Sequence, residues 1–139
     1  MTFYFEEEGV KASVFIEMIP PQFHLAIYGD NYDVYPLLEM AELMDWDVSL
    51  VGNVQKLKKE KLQSVKNIYP KDFQERPVID NRTAIILMAH DYKTDYTNLQ
   101  KLIKSASPYI ASLGPRKRFD KMITEFKVNG IEFSEQETE

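Results

Sequence analysis

FHLAIYGDNYDVYPLLEMAELMDWDVSLVGN, residues 23–53, reads as strand, tight turn, helix and second strand. His24 to Tyr28 is a short apolar run of the kind a strand buried on both faces needs, and Gly29 ends it where the backbone must turn sharply. Beyond the turn, Val34, Leu37, Leu38, Ala41 and Met44 recur at helical spacing with Glu39 and Glu42 between them. Asp33 is placed to cap this helix, and Pro36 falls in the first turn, where a missing N–H leaves no bond unmade. Asp47 to Val51 is the second strand. The unit is βαβ, and it aims a helix N-terminus at the carboxyl end of its first strand, where a nucleotide-type phosphate binds in such folds.

Upstream, Thr2 to Phe5 and Val10 to Met18 are strand-like. In the second run Val10, Ala12, Val14, Ile16 and Met18 alternate with Lys11, Ser13 and Glu17. Glu6 to Gly9 suits the hairpin loop between them, and Ile19-Pro20-Pro21 is a linker, since two prolines fit neither mid-strand nor mid-helix. Downstream, Val54 to Lys66 carries Val54, Leu57, Leu62 and Val65 among lysines and is expected to be a solvated amphipathic helix. Ile68-Tyr69 is expected to form a brief strand. Thr83 to Met88 is the most apolar strand. Thr94 then caps a helix with Tyr96, Leu99, Ile103 and Ala106 inward. Tyr109 to Leu113 is a further strand, and Gly114-Pro115 turns into a helix with Phe119, Met122, Ile123 and Phe126 on one face. Strands alternating with helices imply an α/β fold: a Rossmann-like three-layer arrangement with a mostly parallel sheet, preceded by an N-terminal β-hairpin. The expected division is residues 1–19 hairpin and lead-in, 20–130 Rossmann-like domain, and 131–139 an acidic, frayed tail.

The 139 residues suit one core. A formal net charge of −5 argues against nucleic-acid binding, and the absence of cysteine rules out disulfides, thiolate metal sites and a Cys nucleophile. No apolar run reaches the ~20 residues needed to cross a bilayer, so a cytoplasmic protein with no membrane partner is expected. The apolar face of the hairpin could cover this domain's own sheet or a neighbour's, which leaves a homodimer open.

In an open parallel sheet ligands bind outside the carboxyl ends of the strands. Three loops are expected to converge there: Gly29 to Asp33, Ala89 to Asp95, and Leu113 to Arg118. The first is a broken dinucleotide fingerprint, because glycines would be needed at 29, 31 and 34 and this chain has Gly29, Asn31 and Val34. Asp30 and Asp33 add negative charge where a phosphate should lie. The acidic residue that would hold a ribose is replaced by Gly52-Asn53, and together these features argue against NAD(P). In the second loop, His90 followed by Asp91 is either a general base or ligand-orienting group with a carboxylate fixing its tautomer, or simply a bond to the neighbouring loop with Asp91 or Thr94 capping the helix. His90 and Asp91 are the only candidates for a catalytic role. His24 is expected to be structural, and two isolated histidines make no protein-held metal site. In the third loop, Arg116, Lys117 and Arg118 oppose the dipole of the helix they open unless an anion binds between them, which makes this loop the candidate phosphate contact.

Taken together, GDNYDVYPLLEMAELMDWDVSLVGN, NRTAIILMAHDYKTD and YIASLGPRKRF resemble the carboxy-terminal Rossmann-type domain of the XdhC/CoxI family, over Phe15 to about Phe126. Members of that family are accessory proteins for maturation of xanthine dehydrogenase and related molybdenum hydroxylases. The resemblance implies binding of molybdenum cofactor, a pterin carrying a phosphate, and its delivery to an apo-enzyme. It points to Gly29, Asp33, His90, Asp91, Asp95, Gly114, Arg116 and Arg118 as cofactor-binding positions, with Asn31 standing where the family has a glycine and Gly52 where it has an acidic residue. The family's amino-terminal domain, which contributes a cysteine, and its closing segment have no counterpart here, as expected of a short member, a split protein or a truncated piece. The expected role is an accessory binding protein rather than an enzyme, serving a xanthine dehydrogenase-like subunit. The alternatives are an interaction or scaffold domain with a decayed ligand site and an NAD(P)-dependent enzyme using His90.

Overall fold

The computed structural model describes residues 1–72 and 74–131. Two strands, β1 (Thr2–Glu7) and β2 (Val10–Phe15), form a separate antiparallel sheet. They are followed by β3 (His24–Tyr28), α1 (Val34–Leu43), β4 (Asp47–Gly52), β5 (Asn67–Pro70), β6 (Thr83–Leu87), α2 (Tyr92–Leu102), β7 (Tyr109–Ser112) and α3 (Arg116–Val128). The second sheet has the order β5-β4-β3-β6-β7, and each of its four pairings is parallel. Strand order reverses direction at β3, whose neighbours β4 and β6 leave it on opposite sides, so a crevice is expected above the β3–β6 seam.

The sheet is covered on both faces. Leu25, Ile27, Val48 and Leu50 face α1 through Val34, Leu38 and Ala41. Ala26, Tyr28, Ile85 and Leu87 face α2 and α3 through Leu99, Leu102, Met122 and Phe126. Alternate residues of β3 thus serve opposite cores, which is why its run contains no polar position after His24. Each fully buried side chain of this size contributes about 1.5–3 kcal/mol relative to exposure.

His24 proves structural. Its Nδ1 lies 3.3 Å from Thr83 Oγ1 and its Nε2 2.8 Å from Ser49 Oγ, tying the starts of β3, β4 and β6 together. The Thr83 hydroxyl donates to Asp80 at 2.8 Å, so toward His24 it accepts and Nδ1 donates. Burial lowers the His24 pKa below its ordinary 6.5, against the opposing pull of Asp47 and Asp80. A histidine depressed in the folded state binds its proton more readily when unfolded, so its contribution is intact above the unfolded value and lost as pH falls below it. Stability should therefore decline as the pH drops below 6.5, and urea titrations at stepped pH should show that decline flattened in His24→Gln. A variant that keeps the wild-type slope would refute this assignment.

Three expectations are corrected by the structure. Val54 to Lys66 is no helix but two short 3-10 turns, Val54–Lys56 and Lys59–Lys61. The gap of five residues between Leu57 and Leu62 would put them roughly 140° apart on a helix, yet both are buried on the same side of the sheet. Separate turns achieve that and a helix cannot. The inner face of α2 is Asp95, Leu99 and Leu102, with Tyr96 and Ile103 half-buried; the helix ends at Leu102, leaving Ala106 exposed. Of the two candidate caps, Asp91 and Thr94, it is Asp91 that caps α2, accepting from the Thr94 amide at 2.8 Å. Asp33 stands at the N-cap of α1 but makes no capping bond.

The hairpin turns through Glu8 and Gly9, both at positive φ (48° and 81°), the pattern of a two-residue type I′ connection. Every residue of β1 and β2 is exposed, so the hairpin does not cover the domain's own sheet. Among the described residues no helix is long and apolar enough to cross a membrane. The expected frayed tail lies outside the described residues from 132 onward.

Candidate functional site

The ends of β3, β4 and β6 are pressed together by two glycines. A Cβ on Gly29 would lie 2.6 Å from the Met88 carbonyl oxygen, and one on Gly52 would lie 2.9 Å from both Asp30 Cβ and the Gly29 carbonyl oxygen. Gly29 is thus required by strand packing rather than by the turn, since its φ is not positive. Above this floor, on the α2 side of the sheet, lies a cleft of about 500 Å³.

Three segments supply its walls. The turn after β4 brings Lys56, the crossover after β5 brings Lys71 and Arg76, and α2 brings Lys93, Thr97, Asn98 and Lys101. Lys56 Nζ holds Asp30 Oδ1 at 3.0 Å, and the other Asp30 oxygen accepts from the Asn53 amide at 2.9 Å, so this floor carboxylate is neutralised in place. The Arg76 guanidinium donates to the Glu75 and Lys71 carbonyls at 2.7 and 3.1 Å, which turns the crossover back on itself. Asp91 lines the cleft too; hydrogen bonds from the Thr94 hydroxyl and amide hold its carboxyl below the usual carboxylate range, so it remains ionised while capping α2. Five cationic side chains therefore face two carboxylates that already have partners, in a chain whose net charge is −5.

Behind the cleft, the first and second loops are bonded to each other. Asn31 donates to the Ala89 carbonyl at 3.4 Å, and His90 Nε2 meets Asp33 Oδ2 in a short contact. The carboxylate partner of His90 is Asp33, fifty-seven residues upstream, and not the adjacent Asp91. His90 has φ of 58°, a left-handed conformation that a non-glycine residue holds only where its surroundings enforce it. Asp95 is fully buried. One of its oxygens accepts from the Ala89 amide at 3.1 Å and the other is paired with Arg118. Burial raises the Asp95 carboxyl above its ordinary value, while the Ala89 amide and the Arg118 guanidinium pull it down.

The convergence expected of three loops is thus realised for two. The third is tied to the second through Arg118, which is turned inward onto Asp95. Gly114, at φ of 155°, packs under the Arg118 side chain, and Arg116 is exposed with its partner Asp120 at 3.5 Å. None of residues 113–118 lines the cleft. Of the sequence candidates, Gly29 and Asp91 line it, Asn31, Asp33 and His90 bind the loops behind it, and Asp95 with Arg118 braces them. The lysines of the cleft wall were missed, though Lys93, Thr97 and Lys101 recur at i, i+4 and i+8 and mark one polar stripe along α2.

A doubly covered parallel sheet that reverses at its central strand, with a cleft at the strand ends, defines a Rossmann-type domain. Residues 25–139 match the family described as the XdhC Rossmann domain, and the chain belongs to that family. Among solved structures it is similar to one described as a xanthine dehydrogenase from Bacillus halodurans, with a TM-score of 0.70 and 21% identity over 85% of this chain and 35% of that one. The chain therefore spans about a third of that protein's length, and the likeness is one of fold. No curated protein matches the chain.

Proposed function

We propose that this domain acts in maturation of a xanthine dehydrogenase-like molybdenum hydroxylase, holding a phosphorylated pterin or nucleotide of the molybdenum-cofactor kind in the cleft beside α2. The observation that carries this reading is the gathering of Lys56, Lys71, Arg76, Lys93 and Lys101 around one cleft in an acidic chain. Its volume of about 500 Å³ suits a small ligand. The residues fit such a group: Lys71, Lys93 and Lys101 would meet the phosphate, Thr97 and Asn98 would offer hydrogen bonds to ring or ribose, and Gly29 and Gly52 leave the floor bare of side chains. The bound cofactor would supply the molybdenum chemistry that the client enzyme uses. This chain's residues would bind, orient and shield it.

Isothermal titration with molybdopterin and with mono- and dinucleotides tests the reading. The triple variant Lys71→Ala, Lys93→Ala, Lys101→Ala should weaken binding roughly a hundredfold, at about 1 kcal/mol per charged contact, whereas Arg116→Ala should leave it unchanged. Absence of heat and of a melting shift with every phosphorylated ligand would remove it. That outcome would favour an interaction module with a closed site, to which the floor position of Asp30 and its bonds to Asn53 and Lys56 also lend support.

A further inference from the structure

We infer that the free edge of β2 pairs with the same edge of a second copy, joining two hairpins into one four-stranded antiparallel sheet. A lone two-stranded hairpin is marginal in water, and three or more strands with one apolar face are needed for stability. Here β1 and β2 pair over six residues with no burial, while Phe3, Phe5, Val10 and Val14 lie exposed on one face.

The backbone fixes which groups are available. The Ile16 amide donates to the Met1 carbonyl and the Met1 amine to the Ile16 carbonyl, both at 2.9 Å, so this is a hydrogen-bonded pair. Such pairs alternate along an antiparallel ladder, which makes Val14, Ala12 and Val10 the next residues bonded to β1. Lys11, Ser13 and Phe15 therefore turn their N–H and C=O groups outward, where β2 has no neighbouring strand among the described residues. An unpaired edge of this kind is a template for another chain.

The sequence of that edge complements itself. In an antiparallel pairing with its two-fold axis at Val14, Ser13 lies opposite Phe15 and Lys11 opposite Glu17, twice over, and the outward backbone groups are the ones that meet. Lys11 has only a 3.7 Å contact with Glu6 in its own hairpin. The same pairing sets Val10 opposite Met18 and Ala12 opposite Ile16, so the apolar residues of both copies share one face. It also accounts for the alternation that runs through Met18 although β2 stops at Phe15: the second copy extends the strand.

Sedimentation equilibrium of the whole chain tests this. The wild type should be a dimer at tens of micromolar. Ser13→Pro deletes an outward N–H that β1 does not use, so it should give a folded monomer with an association constant lower by on the order of a hundredfold. Lys11→Glu and Glu17→Lys should each weaken association about tenfold, and the double exchange should restore it. A monomeric wild type, a Ser13→Pro dimer of undiminished affinity, or a double exchange no tighter than the single ones would each overturn the proposal. The exchange series decides the matter if Ser13→Pro fails to fold.

Discussion

Replacing Arg118 with alanine will lower the unfolding free energy by about 3 kcal/mol, the low end of the cost of breaking a buried ion pair. The reason is what remains. The Asp95 side chain is 0% exposed and that of Arg118 only 20%, so truncation leaves a carboxylate with no counter-charge and little water to solvate it. The Ala89 amide bond at 3.1 Å would persist but cannot neutralise it. Urea unfolding followed by circular dichroism measures the loss. Arg118→Ala combined with Asp95→Leu should recover only part of it, because the double change orphans the Ala89 amide. A loss under 1 kcal/mol would show that the pair is far better hydrated than its burial implies.

Gly29→Ala should cost about 2–3 kcal/mol, the penalty of forcing atoms into a filled interior. The new methyl would stand 2.6 Å from the Met88 carbonyl oxygen and 2.7 Å from Met88 Cγ, and Met88 directly follows β6, the strand paired with β3. Relief requires the β3–β6 seam to open, which would also distort the cleft floor. Gly130→Ala provides the contrast: its φ is 78° but among the described residues nothing lies within 4 Å, so the cost there is the backbone preference of about 1 kcal/mol. Equal effects in the two variants would mean that the seam yields easily.

The parallel sheet was legible because buried strands leave a strong imprint. HLAIY and TAIIL are continuous apolar runs, and each became a central strand. The α3 face was equally plain, with Phe119, Met122, Ile123 and Phe126 all packed into one core. Legibility failed where polar residues point inward. Asp95 on α2 carries no apolar signal, and only its distant partner Arg118 makes its burial intelligible. The 54–66 segment misled through composition: lysines and spaced leucines suggest a helix, while the leucine spacing serves turns draped over the sheet. The candidate site shows the same limit. Strand-end loops can be named from sequence, but which of them borders open space depends on side-chain direction. Arg118 faces inward with no motif to announce it, and the α2 residues facing the cleft are marked only by the polar stripe of Lys93, Thr97 and Lys101.

Asn31 on Ala89 and Asp33 on His90 yoke the loops that follow β3 and β6, so the rear wall of the cleft is fastened by the chain's own bonds. Its front wall is a face of α2, an element fixed by its own buried side. For the ligand proposed above, neither of these two walls would have to move. Ligand capture should follow a single kinetic phase whose rate rises linearly with concentration and falls with added salt, as expected when charge steers diffusion onto a prepared surface.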